Sequence, residues 1–107
     1  MLLLSYGAVD VLLPADAESN VTLRLRLGPV EVLKVAHHGS SDDRLPELIR
    51  ELRPELAVIS AGAGNAYGHP APSTLAALAG LRLYRTDRDG GVTLESDGRA
   101  LGVRTQR

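Results

Sequence analysis

Apolar residues fall in short runs along the chain, and the spacing within each run separates strands from helices. Leu2 to Tyr6 and Val9 to Leu13 are two such runs around Gly7-Ala8, which predicts an opening hairpin. Ala17 to Leu27 supports two readings: Val21, Leu23, Leu25 and Leu27 alternate as in a strand, whereas Asp16 could cap a helix. Gly28-Pro29 ends that stretch. Val30 to Ala36 is valine-rich and nearly continuous in apolarity, as in a strand buried on both faces. The "HHGSSDD" after it is a loop. Leu45, Leu48, Ile49 and Leu52 then recur at helical spacing, and Pro54 after Arg53 stops the helix.

Leu56 to Ser60 reads as another buried strand, opening into the glycine-rich "AGAGNAYGHPAPS". Ser73 is the expected N-cap of a helix over "TLAALAG", with Gly80 as its stop. "LRLYRT", "GVTLES" and "ALGVRT" follow as strands separated by "DRDG" and "DG" turns. Strands alternating with helices in the middle, flanked by hairpins, predict α/β layers. At 107 residues the chain accommodates one domain, residues 1–107. Its core must be built from Leu, Val and Ala, because Phe and Trp are absent and only three Tyr are present.

Charge adds little. Twelve basic and 13 acidic residues are interspersed, leaving a net charge of -1 and no overall field for a polyanion. Arg24 with Arg26, and Arg82 with Arg85 and Arg88, are local groups that read as solvated faces. Without cysteine there is no thiolate site, so any metal must rely on His and carboxylates. The apolar start has no basic leader and is broken by Ser5, Tyr6, Gly7 and Asp10 before the ~18 residues a membrane span needs. No signal or transmembrane segment is expected, and the composition is that of a soluble globular chain.

Three polar clusters fall at strand ends, where α/β sheets bind ligands: Asp16, the pair His37 and His38, and the segment from Asn65 to His69. Each alone is a turn residue, a solvated pair or a rigid turn. Together they offer a carboxylate able to bridge two divalent metals, and an imidazole to complete one of them, with bound water as nucleophile. Gly39 would let backbone approach a ligand closely, and Ser40 or Ser41 could donate to an anionic oxygen. Such chemistry suits phosphodiester hydrolysis.

These segments carry a family resemblance over about residues 5–95. "KVAHHGS" resembles a K-V-x-H-H-G-S segment, Ala57 to Pro70 an S-x-G-x-x-N-x-Y-G-H-P loop, and Tyr84 to Gly91 an R-T-D-x-x-G turn. All three are similar to the C-terminal half of the metallo-β-lactamase-fold domain of the ComEC competence proteins. The resemblance implies half of an αββα sandwich, a mixed β-sheet with helices on one face. It also implies a centre holding two zinc or manganese ions in the complete domain, and a nuclease or phosphodiesterase acting on single-stranded DNA during uptake. The parent would be a membrane protein with this domain on the extracytoplasmic face, and the domain's partners would be its own N-terminal half and the membrane channel. By motif, Asp16 is the bridging carboxylate, and one of His37 and His38 is a metal ligand while the other contacts substrate or acts as general acid. Ser40, Asn65 and His69 fall on the substrate side, His69 also as a catalytic candidate.

The departures are specific. The H-x-H-x-D-H signature of the fold's N-terminal half is absent, since the only histidines are His37, His38 and His69. The usual Thr-Gly-Asp is Pro14-Ala15-Asp16. The chain is therefore expected to be inactive alone, with one sheet face left to be covered by a second copy or by further protein. Two other classes remain open: a non-catalytic nucleic-acid or protein interaction module of the same fold, and a small mononuclear hydrolase using Asp16, His37 and His69.

Overall fold

A computed structural model describes all residues, 1–107. Strands β1 (Leu2–Tyr6) and β2 (Val9–Leu13) form the expected antiparallel hairpin. The chain then runs through a single helical turn, α1 (Ser19–Thr22), continued by a 3-10 turn over Leu23–Leu25, into β3 (Val32–Lys34). Helix α2 (Leu45–Leu52) leads to β4 (Leu56–Ile59), and α3 (Pro72–Ala77) leads to β5 (Arg82–Arg85). A last helical turn, α4 (Thr86–Asp89), precedes the hairpin of β6 (Val92–Ser96) and β7 (Leu101–Thr105). The fold is α/β, as expected from the alternation.

The main sheet has the order β1-β2-β3-β4-β5, antiparallel at the first step and parallel at the other three. Each parallel step is bridged by a helical segment, so β2 to β5 all point their C-terminal ends the same way. The register aligns Leu12, Leu33, Ala57 and Leu83 across the sheet on one face. On that face Leu12, Leu33, Ala57 and Ile59 join Leu45, Leu48, Leu52 and Leu78 in one buried cluster. Helix α2 turns its 45/48/52 stripe onto the sheet, and α1 and α3 pack on either side of it. Its end matches the sequence pattern: Arg53 adopts a left-handed conformation and Pro54 cannot continue the helix.

Three local expectations differ: the strand expected over Val30 to Ala36 is confined to Val32–Lys34, with Ala36 already in a 3-10 turn. The Ala17–Leu27 stretch is helical from Ser19 to Leu25, and Asp16 does not cap it. Instead Asp42, distant in sequence, accepts from both the Ser19 backbone N–H (3.0 Å) and the Ser19 hydroxyl (2.7 Å). Helix α3 begins two residues early, with Ala71 at the cap, Pro72 at the first turn and Ser73 already inside.

The opposite sheet face carries Leu4, Tyr6, Val9 and Val11 by strand alternation. The β6–β7 hairpin lies over this end of it: Ala8 N–H donates to Gly98 O at 2.7 Å, and Leu94 and Leu101 share a cleft of about 270 Å³ with those four residues. Coverage is partial. Leu2, Leu4 and Tyr6 remain 54%, 53% and 61% exposed, so an apolar strip on the edge strand β1 faces solvent. No helix is long and apolar enough to cross a membrane.

A candidate site at the parallel strand ends

Because β2 to β5 are parallel, the loops that follow them gather along one edge of the sheet. The first is Pro14-Ala15-Asp16, in which Ala15 holds a left-handed backbone (φ 56) and its carbonyl accepts the His37 N–H at 2.9 Å. Here alanine keeps a conformation that favours glycine, at a cost of about 1 kcal/mol. Asp16, next in the chain, is exposed.

The second loop carries the histidine pair. The strand ends at Lys34, so the two histidines do not alternate across a sheet. His37 (φ 53) and His38 (φ 55) are consecutive left-handed residues, followed by Gly39 at φ +80. A left-handed residue with a side chain costs about 1–2 kcal/mol, and such strain collects at functional sites. Gly39 is required here. A Cβ on it would stand 2.8 Å from Pro70 Cβ and 3.3 Å from Ile59 Cγ2, and its carbonyl accepts the Ala71 N–H at 2.9 Å.

The two imidazoles then diverge. His38 Nδ1 lies 2.8 Å from the Ser60 carbonyl, which can only accept, so Nδ1 donates and Nε2 is the ring nitrogen left without a partner. His37 Nδ1 faces Glu18 Oε1 at 3.7 Å, and its ring meets that of His69 edge-on at 6.3 Å between centroids.

The third loop is tied down by Asn65. Its side-chain amide donates to Gly62 O (2.9 Å) and His69 O (2.6 Å), while its Oδ1 accepts the His69 N–H (2.9 Å). Asn65, expected on the substrate side, thus has both ends of its amide engaged within its own loop and sets the position of His69. Tyr67 stacks on the His69 ring at 5.8 Å, 28° from parallel. His38, Ala61, Gly62, Asn65, Tyr67 and His69 line a cleft of about 220 Å³. Ser40 presents its carbonyl to the Thr74 hydroxyl at 2.9 Å and is half-buried beside the histidines.

The fourth loop braces the third. Thr86 Oγ1 accepts from the Ala61 N–H and donates to the Ala61 carbonyl, both at 2.9 Å. Arg85 forms a bidentate pair with Asp87 at 3.1 and 2.8 Å, and this hydrogen-bonded guanidinium holds the Asp87 carboxyl below its usual range. Arg85 is therefore occupied internally, whereas Arg24, Arg26 and Arg88 are exposed.

On the other side of His37 lies a cleft of about 560 Å³ whose lining includes Asp16, Glu18, Asp42, Asp43 and Arg44. Arg44 pairs with Glu47, which leaves the cleft acidic. The cleft with His38 and His69 has no carboxylate in its lining. No three of the chain's His, Asp and Glu side chains are grouped closely enough to hold a metal ion. The donors present do not by themselves fit a metal centre. Sequence reasoning did not single out Glu18, Tyr67 or Thr86; the "Y-G-H-P" and "R-T-D" segments contained the latter two without indicating their roles.

Three known proteins align with this chain. The chain is 44% identical over 64 residues to ComE operon protein 3 of Bacillus subtilis, covering 58% of the chain and 8% of that protein. It is 38% identical over 80 residues to Recombination protein 2 of Haemophilus influenzae, covering 73% and 10%. It is also 38% identical over 79 residues to Competence protein ComA of Neisseria gonorrhoeae, covering 72% and 11%. These relatives are competence proteins of the ComEC family. The chain spans about a tenth of the length of the relatives it matches. No family model matches the chain, and no solved structure does.

Proposed function

We propose that these residues are the C-terminal part of a metal-dependent nuclease or phosphodiesterase domain of a ComEC-type DNA-uptake protein, built on the metallo-β-lactamase plan and inactive alone. The observation that carries this reading is the strained histidine turn. Two consecutive left-handed histidines are held at a strand end, with His38 Nδ1 donating to Ser60 O at 2.8 Å. Donation of one ring nitrogen to a carbonyl is how metal-binding histidines are oriented, leaving the other nitrogen basic. His38 is accordingly the ligand or proton acceptor of the pair, and His37 and His69 face the substrate, with Ser40 beside them. Asp16 supplies the carboxylate. The remaining zinc or manganese donors come from protein outside this chain, and the exposed strip of Leu2, Leu4 and Tyr6 is where that protein or a second copy packs. Single-stranded DNA is the substrate of the whole, and the membrane channel on the extracytoplasmic side its neighbour.

The lack of a three-donor group also favours a second reading, a binding module that holds single-stranded DNA or a protein without metal. Activity separates the two. The chain alone, given zinc or manganese, is expected not to hydrolyse bis(p-nitrophenyl) phosphate. Extended at its N-terminus by a segment bearing H-x-H-x-D-H, it is expected to turn over and to lose about 100-fold or more of that rate in His38→Ala. An extended protein that is inert, or whose rate ignores His38→Ala, would leave the binding module as the better account.

A further inference from the structure

Tyr67 has no packing role that explains it. It is 84% exposed, the highest exposure among the large apolar side chains, and sits in a loop hydrogen-bonded within itself through Asn65. The other two tyrosines differ: Tyr84 carries the Arg82 guanidinium 5.8 Å over its ring, and Tyr6 belongs to the apolar strip of β1 beside the β6–β7 hairpin. Tyr67 instead has one face stacked on His69 and the other free. Asn65 holds the backbone beneath it, through both the N–H and the carbonyl of His69. From Tyr67 the rings continue through His69 to His37, toward the strand-end turn.

A free aromatic face stacked on a second ring, at the rim of a cleft containing two imidazoles, is suited to a planar group whose chain bears an anion. We propose that Tyr67 is a stacking step for an unpaired nucleobase, which brings the adjoining phosphodiester into the cleft lined by His38, Asn65 and His69. That cleft, unlike its acidic neighbour, has no carboxylate in its lining. A duplex hides its base faces and is excluded; a single strand is accepted. Either sugar satisfies the stacking, so DNA and RNA single strands share this contact. The inference rests on the phosphodiester reading but fails separately from it.

The chain contains no tryptophan, so Tyr67→Trp introduces a unique fluorophore at the step. At low salt, oligo(dT) and oligo(rU) are expected to bind and to quench that indole, while an abasic strand of equal length binds without quenching. Tyr67→Ala is expected to weaken oligo(dT) binding about 5- to 150-fold, the range for loss of one base–aromatic stack. Tyr67→Phe keeps wild-type affinity, and all three variants keep the wild-type melting curve because the side chain is exposed. Equal affinity of Tyr67→Ala and the wild type for oligo(dT), matched by equal binding of the abasic strand, overturns the stacking step and leaves phosphodiester binding standing. Absence of binding to every strand overturns both the step and the choice of a nucleic-acid ligand, whatever the extended protein does to a small phosphodiester.

Discussion

Leu33→Ala is expected to destabilise the chain by about 2–5 kcal/mol, read as a lower denaturant midpoint with an unchanged slope. Leu33 is 1% exposed on the central strand of five, with Leu12 and Ala57 beside it in register and the helix layer above. The residues around it are short: the cluster is leucine, valine, isoleucine and alanine, with no ring able to swing into the space. The cavity left by three lost carbons therefore stays open, and its cost adds to the lost transfer energy. Against a total of about 5–15 kcal/mol for a domain of this size, that is a large share. Leu33→Met, which nearly conserves volume, should cost less than about 1.5 kcal/mol. A Leu33→Ala effect below about 1 kcal/mol would mean the helix layer does not close over this face.

Gly39→Ala is the second large effect, and it acts on the site as well as on stability. Its φ of +80 makes any side chain strained, at about 1–2 kcal/mol. The added methyl must also displace Pro70, a buried ring whose Cβ would be 2.8 Å away and whose Cα 3.2 Å. Such overpacking costs about 1–3 kcal/mol more. Gly28→Ala is the matched control, since its φ is +76 but nothing lies within 4 Å of the added Cβ. The difference between the two variants isolates the contact between the histidine turn and the His69 loop. If Gly39→Ala costs no more than Gly28→Ala, the two loops are not packed as described.

How much of this was legible beforehand depended on how local each cause is. The bounds of β1, β2 and α2 follow from alternation, helical spacing and Pro54, all within a few residues of the element they define. The start of α1 could not be read, because its cap is Asp42, from the loop before the next helix. Nor could the Ser73 expectation hold once Pro72 opened the helix at Ala71. At the strand ends, residue type identified His37 and His38 as a pair but not which was which. That distinction is set by two left-handed backbones and the Ser60 carbonyl, and nothing in a non-glycine pair announces positive φ. Tyr67 was hidden for the opposite reason: it belongs to no periodic segment, and only its exposure against His69 gives it meaning.

The central claim is that this chain contributes one edge of a centre whose other donors lie outside it. Zinc titration of the isolated chain, followed by nitrogen NMR of its histidine rings, tests this most directly. The account predicts that His38 is found as the Nδ1–H tautomer before zinc is added. It further predicts that zinc perturbs Nε2 of His38 weakly and without a one-to-one endpoint. A saturable stoichiometric site that moves His37 and His69 together and is lost in Asp16→Ala would contradict it, because three donors would then converge within these residues.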